Sequence, residues 1–165
     1  MNKIIKLIWL LSVVGIFASP AQARDSAYQI IQPRSSDAVG CWINDYKKYQ
    51  HIVGYSSLGH VFLYSPKDSD YAIFYPFKAA AKSYGKFESV SAFEKIILQE
   101  AGFNEVVLKP AHVKNIETKL GKLSKEQVYI PSPYPFLGGG ESADSYKKGD
   151  IWIMLDIVSQ MKGDC

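Results

Sequence analysis

The chain has few of the residues that build metal sites. Only three histidines are present, His51, His60 and His112, and their spacing forms none of the short zinc-binding patterns. A Gly-x-Ser-x-Gly nucleophile elbow is also missing, and the Gly138-Gly139-Gly140 run lacks the Lys-Ser/Thr that completes a phosphate loop. We therefore expect no catalytic residues, no metal and no other cofactor.

The sequence also has no large excess of positive or of negative residues. The sequence has 19 basic and 16 acidic residues, and setting aside Lys3 and Lys6 leaves 17 basic against 16 acidic. Nucleic acid and anionic membrane surfaces select proteins with clustered positive charge, which this chain does not show. We expect no nucleic-acid partner, and a protein partner that is recognised by shape and local chemistry.

Long apolar runs are limited to one, near the start of the chain. Lys3 and Lys6 precede an apolar stretch from Leu7 to Ala18, and Ala21-Gln22-Ala23 follows. Positive charge, about a dozen apolar residues and small residues in this order are typical of a secretory signal peptide, and the stretch is short for a membrane span. We predict cleavage after Ala23, a periplasmic location without stable membrane insertion, and a single domain over residues 24–165. An uncleaved membrane anchor is the alternative.

Cysteine is scarce, with one residue at position 41 and one at the end of the chain. In an exported protein a pair of cysteines favours a disulfide, so we predict a bond between Cys41 and Cys165 that fixes the C-terminus. The alternative is a buried Cys41 with a mobile thiol at Cys165.

Apolar spacing predicts several helices after a polar start, residues 24–36, that we expect to be loose. No repeat is apparent. Asp37, Ser91 and Asp150 are expected N-caps, and Glu94 stands three residues after Ser91, as in a capping box. The predicted helices are Asp37 to Tyr49, with Val39, Trp42, Ile43 and Tyr46 on one side, then Ser91 to Gly102, Ala111 to Leu120 and Asp150 to Met161.

β-branched and aromatic residues, bounded by turn formers, predict strands between the first two helices. We place them over 52–58, 61–64 and 71–75, with further short extended segments near 86–90 and 128–130. Together these elements predict an α+β fold: a small antiparallel sheet covered by helices in a single compact domain.

Three groups of residues are candidates for recognition. Prolines stiffen the loop from Pro131 to Glu141, where Tyr134 and Phe136 are equally consistent with binding residues and with core plugs. Sheet tyrosines, at positions 64, 71 and 75, are either partly exposed for protein or sugar binding or covered on both faces. Glycosidases act through two acidic side chains that lie close together, and the candidates in this chain are the pairs Asp68/Asp70 and Glu141/Asp144. Acidic residues in turns, however, are usually solvated or cap a helix.

The blocks from Leu120 to Ser142 and from Asp150 to Gln160, with the glycines Gly138 to Gly140 and an apolar final helix, resemble a known family. They are similar to the C-terminal domain of type VI secretion immunity proteins of the GAD-like family, and Ile52 to Tyr64 is similar to a hairpin of that family. The resemblance implies a non-enzymatic protein that binds a cognate secreted antibacterial toxin and blocks it. The best-known relatives guard against DNases in the cytoplasm, whereas the signal sequence here points to a toxin that acts in the cell envelope.

The resemblance also directs the choice of interface, because such inhibitors commonly insert a loop into the toxin. We predict that the inserted segment is the Pro131 to Glu141 loop, and the Ser65 to Asp70 turn is the second choice. The predicted toxin-binding residues are Tyr134, Phe136, Glu141, Asp144, Asp68 and Asp70. Two alternative functions stay open: an exported peptidoglycan- or glycan-binding module, and a cell-wall hydrolase acting through Glu141 and Asp144. A homodimer also stays open as the oligomeric state.

Overall fold

A computed structural model describes residues 27–162, apart from the side chain at position 43. The predicted signal peptide and Cys165 lie outside the described residues. Signal cleavage and the disulfide to Cys41 therefore stay predictions. Within the described range, no helix is both long and apolar enough to cross a membrane.

Five antiparallel strands form the main sheet, and each strand pairs with the next one along the chain. Three of the strands are where the sequence predicted them. The other two were not: residues 24–36, expected to be loose, contain the first strand, and the last strand ends at Lys86, where the predicted extended segment 86–90 begins. The strands are β1 (Tyr28–Ser35), β2 (His51–Ser56), β3 (Val61–Ser65), β4 (Asp70–Tyr75) and β5 (Ala80–Lys86).

Neighbouring strands explain why the two edge strands form. β1 pairs with β2 from Tyr28 opposite Ser56 to Ser35 opposite His51, with a shift in register between Ile30 and Arg34. β5 contains weak strand formers, but its backbone pairs with β4 from Ala80 to Lys86, with a shift in register at Tyr84. Backbone hydrogen bonding to an existing sheet outweighs a weak local preference.

The predicted helix from Ser91 to Gly102 is instead the first part of two similar units. Each unit is a short helix followed by a π-helix: α1 (Val90–Phe93) with Glu94–Leu98, and α2 (Ala101–Phe103) with Asn104–Leu108. The N-cap of α1 is Ser89, whose Oγ accepts from the backbone N–H of Ala92, and not Ser91. The expectation of no repeat was wrong, because the two units share the pattern Phe-x-x-(Ile/Val)-(Ile/Val)-Leu.

The spacing of the buried residues accounts for the π-helices. Phe93 and Leu98 are buried in the first unit, and Phe103 and Leu108 are buried in the second. Residues five apart differ by about 140° around an α-helix, so they would face different directions. A π turn, closed by an i to i+5 hydrogen bond such as Gln99 N–H to the Glu94 carbonyl at 3.0 Å, brings both onto the core side.

The two longest helices are close to their predicted places. α3 spans Pro110–Leu120 and α4 spans Ile151–Met161. Asp150 caps α4 as expected, because its Oδ1 accepts from the backbone N–H groups of Trp152 and Ile153. The first predicted helix is different: residues Ser36–Asn44 form 3-10 turns interrupted at Gly40, which has a φ of 75°.

A second sheet of two antiparallel strands precedes α4. It consists of β6 (Gln127–Pro131), predicted as an extended segment, and β7 (Tyr146–Asp150). The segment between β6 and β7 contains the Pro131 to Glu141 loop and two short 3-10 turns, Pro135–Leu137 and Ala143–Ser145. With these elements the predicted α+β fold, a single compact domain with an antiparallel sheet and covering helices, is confirmed.

Both faces of the main sheet are buried. Phe62 and Ile73 pack on the side of α1, α2 and α3, whereas Leu63 and Phe74 pack on the side of α4 and the 3-10 turns around Trp42. Alternating side chains of one strand thus enter two different cores, which explains the nearly continuous apolar runs. The sheet tyrosines at positions 64, 71 and 75 are accordingly buried or half-buried, not exposed.

Candidate functional site

A cavity of about 480 Å³ lies where the β2–β3 turn, the ends of β4 and β5, the second π-helix and the Pro131 to Glu141 loop meet. The chain brings side chains from distant positions to it. The polar groups that line the cavity are His60, Tyr75, Lys78, Lys82, Tyr84, Lys109, Glu141 and Tyr146, beside apolar residues that include Val106, Pro131 and Pro135.

The hydroxyl of Ser56 determines where His60 carries its proton. Ser56 Oγ accepts two backbone N–H groups, from Leu58 at 3.2 Å and from His60 at 3.0 Å. Both lone pairs of the oxygen are then used, so the hydroxyl must donate its own proton to Nδ1 of His60, 3.0 Å away. Consequently the ring proton of His60 is on Nε2.

His60 is neutral at pH 7. Burial, and then the positive charges of Lys109 and Lys78, lower the pKa of His60 to about 4. The ring also contacts Tyr75 edge to face, with 5.1 Å between the ring centroids. His60 is thus a half-buried imidazole that presents a hydrogen-bond donor.

Two tyrosines form a hydroxyl pair beside His60. The hydroxyl oxygens of Tyr75 and Tyr84 are 2.8 Å apart, and either one can be the donor. Burial, and then the hydrogen bond to Tyr84, raise the pKa of Tyr75, so this phenol keeps its proton at neutral pH. Since one hydrogen bond uses one of the two protons, the pair has a second proton that it can donate to a ligand.

Three lysines add positive charge to the cavity. The Nζ of Lys78 lies 5.7 Å from the ring centroid of Tyr75, and that of Lys82 lies 4.9 Å from the ring centroid of Tyr84. Lys109 contacts Glu141, with 2.6 Å between Nζ and Oε2, and this hydrogen bond holds the pKa of Glu141 below its ordinary value. Within the described part of the chain, neither Lys78 nor Lys82 forms an ion pair.

Of the predicted toxin-binding residues, Glu141 lines this cavity. Tyr134 and Phe136 belong to the same loop but point into a packed aromatic group with Phe77, with ring centroids of Tyr134 and Phe77 5.6 Å apart. Both are half-buried against the core on the α4 side. These rings fix the loop, and direct contact of either ring with a partner stays a prediction.

The remaining three predicted residues lie away from the cavity. Asp144 forms an exposed ion pair with Lys119 of α3. Asp68 accepts a hydrogen bond from Ser65 within the β3–β4 turn. Asp70 is buried at the start of β4, and its carboxylate accepts hydrogen bonds from three side chains, those of Lys48, Tyr49 and Ser83.

The sequence did not indicate Lys78, Lys82, Lys109, Tyr84 or the role of His60. These residues are spread over 50 positions with no common spacing, so no local pattern marks them. Among residues 27–162, no three histidine, cysteine, aspartate or glutamate side chains cluster as a metal site would require.

Comparison with known protein families adds an independent observation. Residues 87–162, a little under half of the chain, match the family described as the C-terminal domain of the type VI secretion system immunity protein Tdi1. The resemblance to type VI secretion immunity proteins is therefore confirmed. The matched segment includes Lys109, the Pro131 to Glu141 loop and Tyr146, but not the β2–β3 hairpin, whose similarity stays a prediction.

Known structures add support for the fold. The sequence matches no curated protein. The crystal structure of Atu4351 from Agrobacterium tumefaciens is similar, with a TM-score of 0.56 and 17% sequence identity, and the similar region covers 83% of this chain and 68% of that chain. At this identity the similarity shows a common fold.

Proposed function

We propose that this chain is an immunity protein that neutralises a cognate type VI toxin by protein–protein contact through the cavity and the Pro131 to Glu141 loop. The observation that carries the proposal is the family match over residues 87–162, because these residues contain the whole loop and the lysine that pairs with Glu141. Immunity proteins of this kind are generally not enzymes, so binding alone would account for the activity.

The loop has the properties of a preformed contact. Tyr134 and Phe136 anchor the loop on Phe77, while Leu137, the next residue along the chain, is 55% exposed. A rigid loop loses little conformational entropy on binding, which leaves more of the contact energy for affinity. Val106, 68% exposed at the cavity, supplies a second apolar contact on the same surface.

A periplasmic site of action and an envelope-targeting toxin are further parts of the proposal. The order of Lys3, Lys6, the apolar run and the Ala21-Gln22-Ala23 segment supports export. The nearly balanced charge of residues 24–165 also gives no support to mimicry of DNA, for which an acidic surface would be expected. Cell fractionation of the full chain and of a version lacking residues 2–23 tests the location. Export predicts that the protein made from the full chain is in the periplasmic fraction and that the shortened version is not.

The binding test uses residues 24–165 as bait against a panel of envelope-directed type VI toxins, with calorimetry on each hit. A complex near 1:1 with a Kd below about 10 nM, or roughly −11 kcal/mol, is expected for an immunity pair. Leu137→Ala should weaken it at least about tenfold, as expected for truncation of a central apolar contact.

Ile153→Ala is the matched control, because Ile153 on α4 is 62% exposed and lies outside the cavity and the loop. Equal losses from both variants would reject the loop as the contact surface. No toxin bound at micromolar concentration would reject the immunity function. Retention on purified peptidoglycan in that case would favour the glycan-binding alternative.

A further inference from the structure

We propose that the cavity is a carboxylate-binding site that receives the side chain of an aspartate or glutamate on the toxin. The inference rests on the proposed function for the identity of the partner. Its chemical part, recognition of a carboxylate, depends only on the groups that line the cavity.

The hydrogen-bonding groups of the cavity are mostly donors. Ser56 fixes the proton of His60 on Nε2, and the Tyr75–Tyr84 pair has one proton to spare. His60 is a neutral imidazole at neutral pH, and burial raises the pKa of Tyr75, so both stay donors when a ligand arrives. A carboxylate accepts at two oxygens and is the side chain that best satisfies several converging donors.

Charge points to the same ligand. Glu141 already neutralises Lys109, but Lys78 and Lys82 have no carboxylate partner in the described part of the chain. Both ammonium groups lie near tyrosine rings whose hydroxyls form the donor pair. An incoming carboxylate therefore meets two cations without a carboxylate partner and neutral donors that line the same cavity.

The surroundings of the cavity favour a side chain of a protein over a free small anion. The volume of about 480 Å³ is many times the roughly 30 Å³ that one water molecule occupies, so a whole side chain fits inside it. Exposed Val106 lines the same cavity, and the rigid loop borders it through Pro131 and Pro135. A protein segment can contact these apolar groups while its acidic side chain enters the cavity.

The test follows the imidazole protons of His60 by NMR in the 24–165 protein. The probes are glutamate and glutamine blocked as N-acetyl, N-methylamide derivatives, and inorganic phosphate. The blocked glutamate should shift the His60 resonances saturably and raise its pKa from about 4 by about one unit or more, because a nearby negative charge favours the imidazolium. The blocked glutamine, which has the same shape without the charge, should do neither.

Two variants connect the effect to the unpaired lysines. Lys78→Met and Lys82→Met should each weaken binding of the blocked glutamate by roughly threefold to tenfold. Lys86→Met is the matched control, since Lys86 is an exposed lysine of β5 outside the cavity, and it should leave the affinity unchanged.

Equal binding of the acid and the amide would overturn the carboxylate site, as would the absence of any effect from both lysine variants. Phosphate binding tenfold tighter than the blocked glutamate would show a phosphate site instead. If a toxin is bound tightly but Lys78→Met and Lys82→Met leave its affinity unchanged, the inference fails and the immunity function stands. If the blocked glutamate binds but no toxin does, the site stands, and both the immunity function and the toxin side chain as its ligand fail.

Discussion

Replacing Asp70 with asparagine should destabilise the fold by about 2 to 4 kcal/mol at pH 7. The carboxylate of Asp70 is buried and accepts from Lys48 Nζ at 2.8 Å, the Tyr49 hydroxyl at 2.8 Å and the Ser83 hydroxyl at 2.6 Å. An asparagine carbonyl can take the place of Oδ2 and keep the contacts with Lys48 and Tyr49, but the acceptor is then neutral and the NH₂ group faces the Ser83 hydroxyl. The hydroxyl of Tyr49, a residue that is 3% exposed, therefore exchanges a charge-assisted hydrogen bond for a weaker neutral one.

The magnitude follows from these contacts. A hydrogen bond to a charged acceptor contributes about 1.5 to 3 kcal/mol and one between neutral groups about 0.5 to 1.5 kcal/mol, so removing the charge from the Tyr49 and Ser83 hydrogen bonds costs about 2 to 3 kcal/mol together. Lys48 is half exposed, so the weakening of its contact adds little. For a domain of this size, about 3 kcal/mol corresponds to a fall in Tm of roughly 10 °C.

Urea unfolding and thermal unfolding at pH 7 measure the effect, with Asp68→Asn as the matched control. Asp68 lies in the same turn, but among residues 27–162 it accepts from Ser65 alone, and asparagine can accept that hydrogen bond equally well. A loss below about 1 kcal/mol for Asp70→Asn, or equal losses for the two variants, would refute the reasoning.

The pH dependence gives a second test of the same site. Burial favours the protonated form of Asp70, but hydrogen bonds from Lys48, Ser83 and Tyr49 outweigh burial and hold its pKa below the ordinary value. A carboxyl group with a lowered pKa in the folded state stabilises the fold above its unfolded pKa of about 3.9, and this contribution is lost as the pH falls through the folded pKa. The Asp70→Asn variant should lack that part of the acid destabilisation.

Two further predictions concern the cavity and its loop. His60 has a pKa of about 4 in the folded state, below the unfolded value of about 6.5, so stability should fall as the pH falls from about 6.5 to 4. His60→Asn, which can still accept from Ser56, should remove this dependence in urea unfolding, and an unchanged slope would contradict it. Gly139→Ala would place a Cβ 1.8 Å from the Pro133 carbonyl oxygen, so the loop must rearrange and limited proteolysis there should become faster. Gly140→Ala serves as the control, because a Cβ at position 140 would lie 4.0 Å from the Ser145 Oγ, an ordinary contact; equal proteolysis of the two variants would show that the close contact at position 139 is unimportant.

Sequence patterns predicted the parts of the fold that depend on neighbouring residues. Alternating and continuous apolar runs placed β2, β3 and β4, and helical spacing with the Asp150 cap placed α4. The glycines and prolines after Ile130 indicated a stiff loop, and the same region supported the family resemblance that the match over residues 87–162 confirms. These features were predictable because backbone preference, capping and burial of one face act within a few residues of the chain.

The tertiary structure decided the rest. β1 and β5 form because a neighbouring strand offers hydrogen bonds, and the two π-helices form because both members of the pairs Phe93/Leu98 and Phe103/Leu108 must reach one core. The cavity is a stronger case, since Ser56 sets the proton of His60 while Lys109 and Glu141 come from positions far from them in the chain. A sequence read locally cannot show which distant donors and charges meet, because their interaction depends on distances that only the packed fold sets.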